Sequence, residues 1–332
     1  MFKNRSASIL KRTIHIILFA LLCISMLQAQ QLGQSSLFFG DKYLQNPAYA
    51  GFDRSLSILA GYRTQWLGLD RNPVSQVISA HMPVYALNGG VGLNLVNEFL
   101  GAEKTLRLSM SYNYVFNNDY GTWSGGLRLG VLQKSLDGAL LRTPTGIYEG
   151  NQINHQDPIL PEQLVSGSNW FTSIGVYYQA EVFQGGVSVE YLNAPHIRYD
   201  GVSGGSVQLL PTVVAFGEYG FPLMDELALY PSALIKSDLR QWQVDLAAQA
   251  VYENRYLAGL GWRGLTSHTL DALIFHVGLY VNEHLKILYA YDVPLSSLGV
   301  NSTGSHELVL HYNLNKIIGL GLPPRVIYSP RY

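Results

Sequence analysis

Few side chains in this sequence have the types and spacing that catalysis or metal binding needs. A serine hydrolase requires a nucleophile, a base and an acid in a fixed arrangement. Ser79 and His81 lie two positions apart without an evident general base. A metal site requires two or three ligands at close spacing, and His155 to Asp157 is the nearest candidate. We therefore expect no enzyme, no catalytic residue, no metal and no cofactor.

The composition excludes several classes of protein. Charged residues make up only 14% of the chain and aromatic residues 12%, with 22 tyrosines and 33 glycines. This charged fraction is well below the roughly 25% usual in soluble domains. Past the N-terminus, no apolar run reaches the ~18 residues that a membrane helix needs. No basic cluster appears, so we expect no nucleic-acid partner.

The first 30 residues have the pattern of a secretory signal peptide. Basic residues are followed by an apolar stretch over 14–27 and by a small residue, Ala29. The only cysteine, Cys23, lies in this stretch, so the mature chain has neither a disulfide framework nor a thiolate metal site. We interpret residues 1–30 as a signal peptide and therefore expect export.

The sequence after residue 53 repeats one pattern, in which about ten residues alternate apolar and polar before a turn. In the stretch 104–116, for example, Leu108, Met110 and Tyr112 alternate with Ser109 and Ser111. This period of two predicts strands with one apolar face. We predict fourteen strands, at 55–66, 74–85, 90–99, 104–116, 122–134, 169–181, 183–192, 206–219, 226–237, 241–253, 255–264, 271–281, 284–293 and 305–314.

Alternation alone suits both a soluble β-sandwich and a membrane barrel. Two features favour the barrel: the export signal, and tryptophans near strand ends, where an interfacial girdle would lie. The tryptophans are Trp66, Trp123, Trp170, Trp242 and Trp262. Charged residues fall on the face opposite the apolar one, as lipid would require. We therefore predict an all-β fold, an antiparallel transmembrane β-barrel of about 14 strands in the outer membrane.

The connection lengths indicate how the predicted barrel is oriented in the outer membrane. The longer connections, including 135–168, 193–205 and 294–304, follow odd-numbered strands, whereas most even ones are tight. Bacterial barrels have short periplasmic turns and longer outer loops. The connection 135–168 is long enough to have a function, either as a plug in the lumen or as a partner-binding surface.

Three short motifs resemble those of a known protein family. The leader Asn46-Pro47-Ala48-Tyr49-Ala50-Gly51 is followed by Arg63-Thr64-Gln65-Trp66 and by Ser79-Ala80-His81-Met82-Pro83. Asp292 and the run Ser305-His306-Glu307 lie near the end of the chain. The sequence resembles the PorP/SprF family of Bacteroidetes outer-membrane proteins, which are attached to the type IX secretion system and gliding motility. The closing residues 325–332 resemble the short basic-aromatic ending of many members, which often carry a Cys where Ser329 stands here.

The resemblance implies an accessory barrel that helps to secrete, anchor or display a partner substrate such as a gliding or surface adhesin. Its partners would be that substrate, other proteins of the secretion and motility complex, and outer-membrane lipid. A general diffusion porin and a structural subunit of the complex remain as alternatives. We divide the chain into the signal peptide (1–30), a docked N-terminal segment (31–53), the barrel (54–314) and a periplasmic tail (315–332).

Four polar residues are predicted to face the lumen: Arg63, His81, Glu307 and His311. They would either form a network that holds the N-terminal segment in place or remain separate, solvated lumen groups.

Overall fold

The computed structural model describes residues 33–149, 152–157, 159–201, 205–264, 271–295 and 302–316. Fourteen strands in these ranges form one wall: β1 (Ser57–Thr64), β2 (Val74–Val84), β3 (Gly89–Leu100), β4 (Glu103–Asn118), β5 (Gly121–Asp137), β6 (Leu164–Gln179), β7 (Phe183–Glu190), β10 (Thr212–Tyr219), β12 (Leu227–Ser237), β13 (Trp242–Tyr252), β14 (Tyr256–Arg263), β15 (Ala272–Tyr280), β16 (Leu285–Pro294) and β17 (Ser305–Asn313). Three short strands are additional: β8 (His196–Arg198), β9 (Ser206–Gln208) and β11 (Phe221–Met224). The predicted signal peptide and residues 317–332 of the predicted tail lie outside the described residues.

The wall is a closed antiparallel barrel. Each strand pairs with the next along the chain, and β10 pairs with both β7 and β12. The first and last strands close the ring in a register from Ser57 opposite Asn313 to Thr64 opposite His306. The predicted antiparallel barrel of fourteen strands is confirmed.

Most apolar side chains of the wall lie on its outer surface, and most of its polar side chains face the lumen. Along β4, Leu108 and Met110 are 57% and 63% exposed, whereas Ser109 and Ser111 are buried. The buried faces of the other strands likewise carry most of the charges, such as Arg128 on β5. Lipid rather than water explains this arrangement, because a charge facing mid-bilayer costs about 2–4 kcal/mol.

Aromatic residues mark the two edges of the apolar band. Trp123 stacks with Phe116 and contacts Tyr178 near one end of the barrel. Trp170 of β6 pairs with Val131 of β5, and Val131 lies eight positions beyond Trp123 on that strand. At ~3.3 Å per residue and a tilt of roughly 40°, this spacing corresponds to about 20 Å of height. The band therefore has roughly the height of a bilayer core.

The two ends of the barrel differ in the length of their connections. At one end, which we call the outer end, the strands are joined by the long connections that follow β1, β5, β7, β14 and β16 and by the two short connections 101–102 and 238–241. The turns 85–88, 119–120, 180–182, 253–255 and 281–284 lie at the other end, as does the connection 220–226, which contains β11. The first residue of β1 and the last of β17 also lie there. We call this the periplasmic end, because bacterial barrels have short periplasmic turns.

The boundaries of several predicted strands are wrong. The stretch predicted as one strand over 206–219 is divided, because β9 pairs with β8 in a small hairpin and the wall strand β10 begins only at Thr212. Strands β5 and β6 are longer than predicted and pair as far as Asp137 and Leu164. The connection between them is therefore 138–163, and it contains a 3-10 turn over Gly138–Leu140.

Between residue 33 and the wall, the helical structure consists of α1 (Lys42–Gln45) and a 3-10 turn over Pro47–Tyr49. In the described part of the chain, no helix is long and apolar enough to cross a membrane.

Candidate functional site: the occupied lumen

The lumen is occupied by residues 33–53, which we call the inserted segment. Its residues hydrogen-bond to strands all around the ring, namely β1, β2, β4, β5, β6, β7, β10, β12, β14, β16 and β17. The segment begins near the outer end, where Lys236 donates to the carbonyl of Gly33 over 2.8 Å. It ends at the periplasmic end, where the chain enters β1.

The outer part of the segment is held by a buried ionic cluster. Arg63 donates to the carboxylates of Asp292, over 2.7 Å, and Glu307, over 3.0 Å. Arg263 donates to Asp292 over 2.8 Å. Both arginines also donate to the hydroxyl of Ser36, which itself donates to Asp292, and the Ser36 N–H donates to Glu307 over 2.6 Å. We call these five residues the outer network.

Electrostatics makes the outer network a strong anchor. All four of its charged side chains are buried. Asp245, which accepts from Gln243, lies 3.7 Å from the Arg263 guanidinium. Removing one partner of a buried ion pair typically costs about 3–5 kcal/mol, because the remaining charge is left uncompensated. Ser36 joins the segment to both arginines at this point.

The middle of the segment lies between an apolar and a polar side of the lumen. Leu37, Phe38 and Phe39 belong to a buried apolar cluster with residues of β10 and β12–β17, such as Val214 and Leu288. On the polar side, the contacts are hydrogen bonds. Here Arg128 donates to the carbonyl of Tyr43 over 2.6 Å and pairs with Glu190 over 2.9 Å, and the Tyr43 hydroxyl bonds to Ser111. The segment is therefore fixed by packing on one side and by polar contacts on the other.

The Asn-Pro-Ala-Tyr-Ala-Gly motif forms a turn in the half of the segment that leads to the periplasmic end. Asn46 caps the 3-10 turn by accepting from the Ala48 N–H, and its amide donates to the carbonyl of Val176. Asn113 on β4 donates to the carbonyls of Ala48, over 2.6 Å, and Ala50, over 2.9 Å. The motif is therefore bound mainly through its backbone.

Glycines of the wall allow this backbone to approach closely. A β-carbon on Gly126 would lie 2.5 Å from the Ala48 nitrogen, and one on Gly90 would lie 2.3 Å from the Ala50 carbonyl oxygen. Gly51 has φ +80°, and a β-carbon there would lie 2.9 Å from the Pro83 Cα. Glycine suits these positions because any larger residue would require the backbone to move.

The periplasmic end of the segment contacts a second cluster. Asp53 lies 3.5 Å from both His81 and His311 and accepts a hydrogen bond from Tyr49 over 2.7 Å. The Gly51 N–H donates to His81 over 3.1 Å. We call Tyr49, Asp53, His81 and His311 the floor cluster. Burial alone would raise the pKa of Asp53, but the contact with His311 and the charges of both histidines hold it well below 3.8.

The lumen contains two cavities of different volume, one toward each end of the barrel. A cavity of about 80 Å³ adjoins the outer network. The larger cavity, of about 890 Å³, lies below the segment and is lined by residues of the periplasmic turns 180–182, 253–255 and 281–284. We call this larger cavity the vestibule.

The outer mouth carries a further layer of structure. Ile197, on the β8–β9 hairpin, is fully buried with Leu132 and Phe171 on the inner faces of β5 and β6. In the connection 138–163, His155 contacts the carbonyls of Gly138 and Pro161 at 3.0 Å. His155 therefore serves to fold this loop, and the described residues contain no cluster of histidine, cysteine, aspartate or glutamate suited to a metal.

The four residues predicted to face the lumen divide between the two clusters. Arg63 and Glu307 are bonded in the outer network, and His81 and His311 meet through Asp53 in the floor cluster. Sequence reasoning placed Arg263 on the polar face of its strand but not in the outer network, and it missed Ser36 and Asp53. Nothing in the local pattern of these residues indicates which distant side chains they contact.

The remaining motif residues lie at the outer turn and on the outer surface. The Trp66 N–H donates to the Ser305 hydroxyl over 3.1 Å, and the Gln65 N–H donates to the carbonyl of Pro73. His306 bonds to the Tyr289 hydroxyl over 2.7 Å on the outward side of the wall. One G-x-S-x-G sequence occurs, at residues 201–205 between β8 and β9 rather than before a helix, and residues 202–204 lie outside the described part.

The fold and its occupied lumen define a class of protein, an outer-membrane β-barrel filled by its own N-terminal segment. A family model described as "Type IX secretion system membrane protein PorP/SprF" matches residues 27–312. The chain therefore belongs to this family and lies in the outer membrane. The expected family is confirmed.

The similarity to the first of two solved structures supports the fold alone. The "CymD monoaromatic hydrocarbon channel" is 11% identical with a TM-score of 0.50, over 84% of this chain and 94% of that chain. The toluene transporter TbuX of Ralstonia pickettii is 12% identical with a TM-score of 0.49, over 81% of this chain and 92% of that chain. No curated protein matches the sequence.

Proposed function

We propose that this protein is a plugged accessory barrel of the type IX secretion system, which helps to secrete, anchor or display a partner substrate such as a gliding or surface adhesin. In this proposal the barrel performs no catalysis. The partner binds to the outer loops and the outer mouth, and proteins of the secretion complex bind at the periplasmic end.

One observation carries the proposal: the inserted segment is bonded to strands all around the lumen. A general porin needs an open lumen, and fourteen strands leave a space that the wall side chains alone do not fill. Here the segment crosses the lumen above the vestibule, the outer network anchors the segment, and the β8–β9 hairpin covers part of the mouth. These features favour a binding surface over a pore for solutes.

The connection 138–163 and the β8–β9 hairpin supply the outer surface of the proposal. His155 and its two carbonyl contacts fold the connection into a defined shape. Ile147 and Ile159 of the same connection are exposed. A folded loop with exposed apolar side chains suits recognition of a protein partner.

The test is deletion of the gene followed by an assay of surface adhesin and spreading motility. We expect loss of the adhesin from the cell surface, and full recovery when the wild-type gene is returned. A gene with the paired substitutions Ile147→Ser and Ile159→Ser should give normal barrel levels but reduced surface adhesin. Unchanged export and attachment in the deletion strain would refute the proposal.

A further inference from the structure

The vestibule is large enough to hold a ligand. Its volume of about 890 Å³ lies within the range of roughly 300–1,000 Å³ that small-molecule pockets occupy. Its lining combines polar and charged side chains with aromatic ones, among them Phe39, Phe52, Tyr230 and Tyr280. The rim is formed by exposed residues of the periplasmic turns. The vestibule is therefore a cavity with a mixed polar and aromatic lining that faces the periplasm.

The Lys286 side chain in this cavity has no acid at ion-pair distance among the described residues. The Lys286 ammonium lies over the ring of Tyr280, 5.5 Å from its centroid, and both residues line the vestibule. The acids that act on it electrostatically are Asp53 and Glu218. Asp53 pairs with the two histidines of the floor cluster, and Glu218 pairs with Lys42 over 3.0 Å. Among the described residues, none forms an ion pair with Lys286.

Lys286 also adjoins the floor cluster. It lies directly opposite His311 in the pairing of β16 with β17, and Tyr280 lies opposite Lys286 on β15. This part of the wall therefore presents an ammonium group beside an imidazole and a phenol. Such a set donates hydrogen bonds to an anion while the aromatic rings pack against an apolar body.

We propose that the vestibule binds a carboxylate attached to an aromatic or apolar body, with Lys286 as its ion-pair partner. Two sources share this chemistry: the C-terminus of a peptide that enters from the periplasm, and a free aromatic acid. This site lies at the opposite end of the barrel from the outer surface that we propose for the secreted partner. Its test is therefore independent of the export phenotype.

The test uses the full mature barrel in lipid nanodiscs and calorimetric titration. The probes are N-acetyl-phenylalanyl-tyrosine as the free acid, the same dipeptide as its C-terminal amide, and phenylacetate. Because a hydrogen bond to a charged group is worth roughly tenfold or more in affinity, we expect the acid to bind at least about tenfold more tightly than the amide. Lys286→Met should abolish this preference, and Lys286→Arg should keep part of it.

The matched control is Lys104→Met, since Lys104 also lies over an aromatic ring, that of Phe99, but at the outer end. It should keep the full preference for the acid. Tight binding of phenylacetate would assign the site to free acids, and binding of the peptide acid alone would assign it to peptide C-termini. Equal affinity for acid and amide in the wild type, or a preference that persists in Lys286→Met, would overturn the proposal. So would the absence of binding by all three probes at millimolar concentration.

Discussion

The two ends of the inserted segment are held in different ways. At the outer end, two arginines, two carboxylates and Ser36 form a buried network with bonds of 2.6–3.0 Å beside a cavity of about 80 Å³. At the periplasmic end, a single carboxylate lies 3.5 Å from two histidines beside a cavity of about 890 Å³. The outer end is thus tightly bonded, and the periplasmic end is loosely bonded and next to open space.

This difference indicates which end of the barrel has to remain closed. Arginines stay charged at any physiological pH, so the outer network does not titrate away. The floor cluster contains no arginine, and its single carboxylate lies 3.5 Å from the two histidines beside the vestibule, so fewer bonds have to break for this end to rearrange. We infer that the outer network keeps the lumen sealed, while the periplasmic end is the one that can adjust to a ligand.

The largest expected effect comes from breaking the outer network. Arg63→Met leaves Glu307 without a guanidinium partner and leaves Asp292 with Arg263 alone. We expect a loss of about 3–5 kcal/mol in the free energy of unfolding, the usual cost of breaking a buried ion pair. Urea unfolding of the detergent-solubilised barrel measures it.

Arg142→Met provides the control for this prediction. Arg142 is exposed on the connection 138–163, where it donates to nearby backbone carbonyls and lies over the ring of Tyr148. Its substitution should cost less than about 1 kcal/mol. Equal effects of the two variants would contradict the role given to the outer network.

A smaller effect is expected where the segment approaches the wall between the two ends. Gly126→Ala places a β-carbon 2.5 Å from the Ala48 nitrogen, and this neighbour is backbone. We expect a loss of roughly 1–3 kcal/mol, as for other overpacked positions, and faster proteolysis of the segment. Gly125→Ala is the matched control, because nothing lies within 4 Å of the added carbon. The same urea titration compares them, and similar losses in both variants would exclude a close approach at Gly126.

The smallest effect concerns the floor cluster and depends on pH. The pKa of Asp53 is lowered in the folded protein, so its contribution to stability is complete above pH 3.8 and is lost as the pH falls through the folded value. The urea midpoint of the wild type should therefore fall more steeply below pH 4 than that of Asp53→Asn. Asp119→Asn, in an exposed periplasmic turn, should keep the wild-type slope. Parallel curves for wild type and Asp53→Asn would show that Asp53 is not stabilised by the histidines.

Local pattern was sufficient to predict the wall. Alternation along Leu106 to Phe116 indicates a strand with one lipid face, and the connection lengths indicate the orientation. The boundaries failed where tertiary contacts decide them: residues 206–208 have a strand pattern but pair with β8, and β5 and β6 continue past the apolar band.

The contents of the lumen were only partly predictable. The motif residues Arg63, His81 and Glu307 were predicted to face the lumen, but their partners are distant in sequence. Ser36 and Asp292, for example, are separated by 256 positions. The pairs Gly89-Gly90 and Gly125-Gly126 can be read from the sequence. The reason for Gly90 and Gly126, the close approach of Ala50 and Ala48, appears only once the segment is in place.

The central claim is that the inserted segment closes the lumen, and planar-bilayer conductance tests it most directly. We predict that the wild-type mature barrel is electrically silent, and that removal of residues 33–45 gives steady, large conductance steps. A steady large conductance of the wild-type barrel would contradict the account.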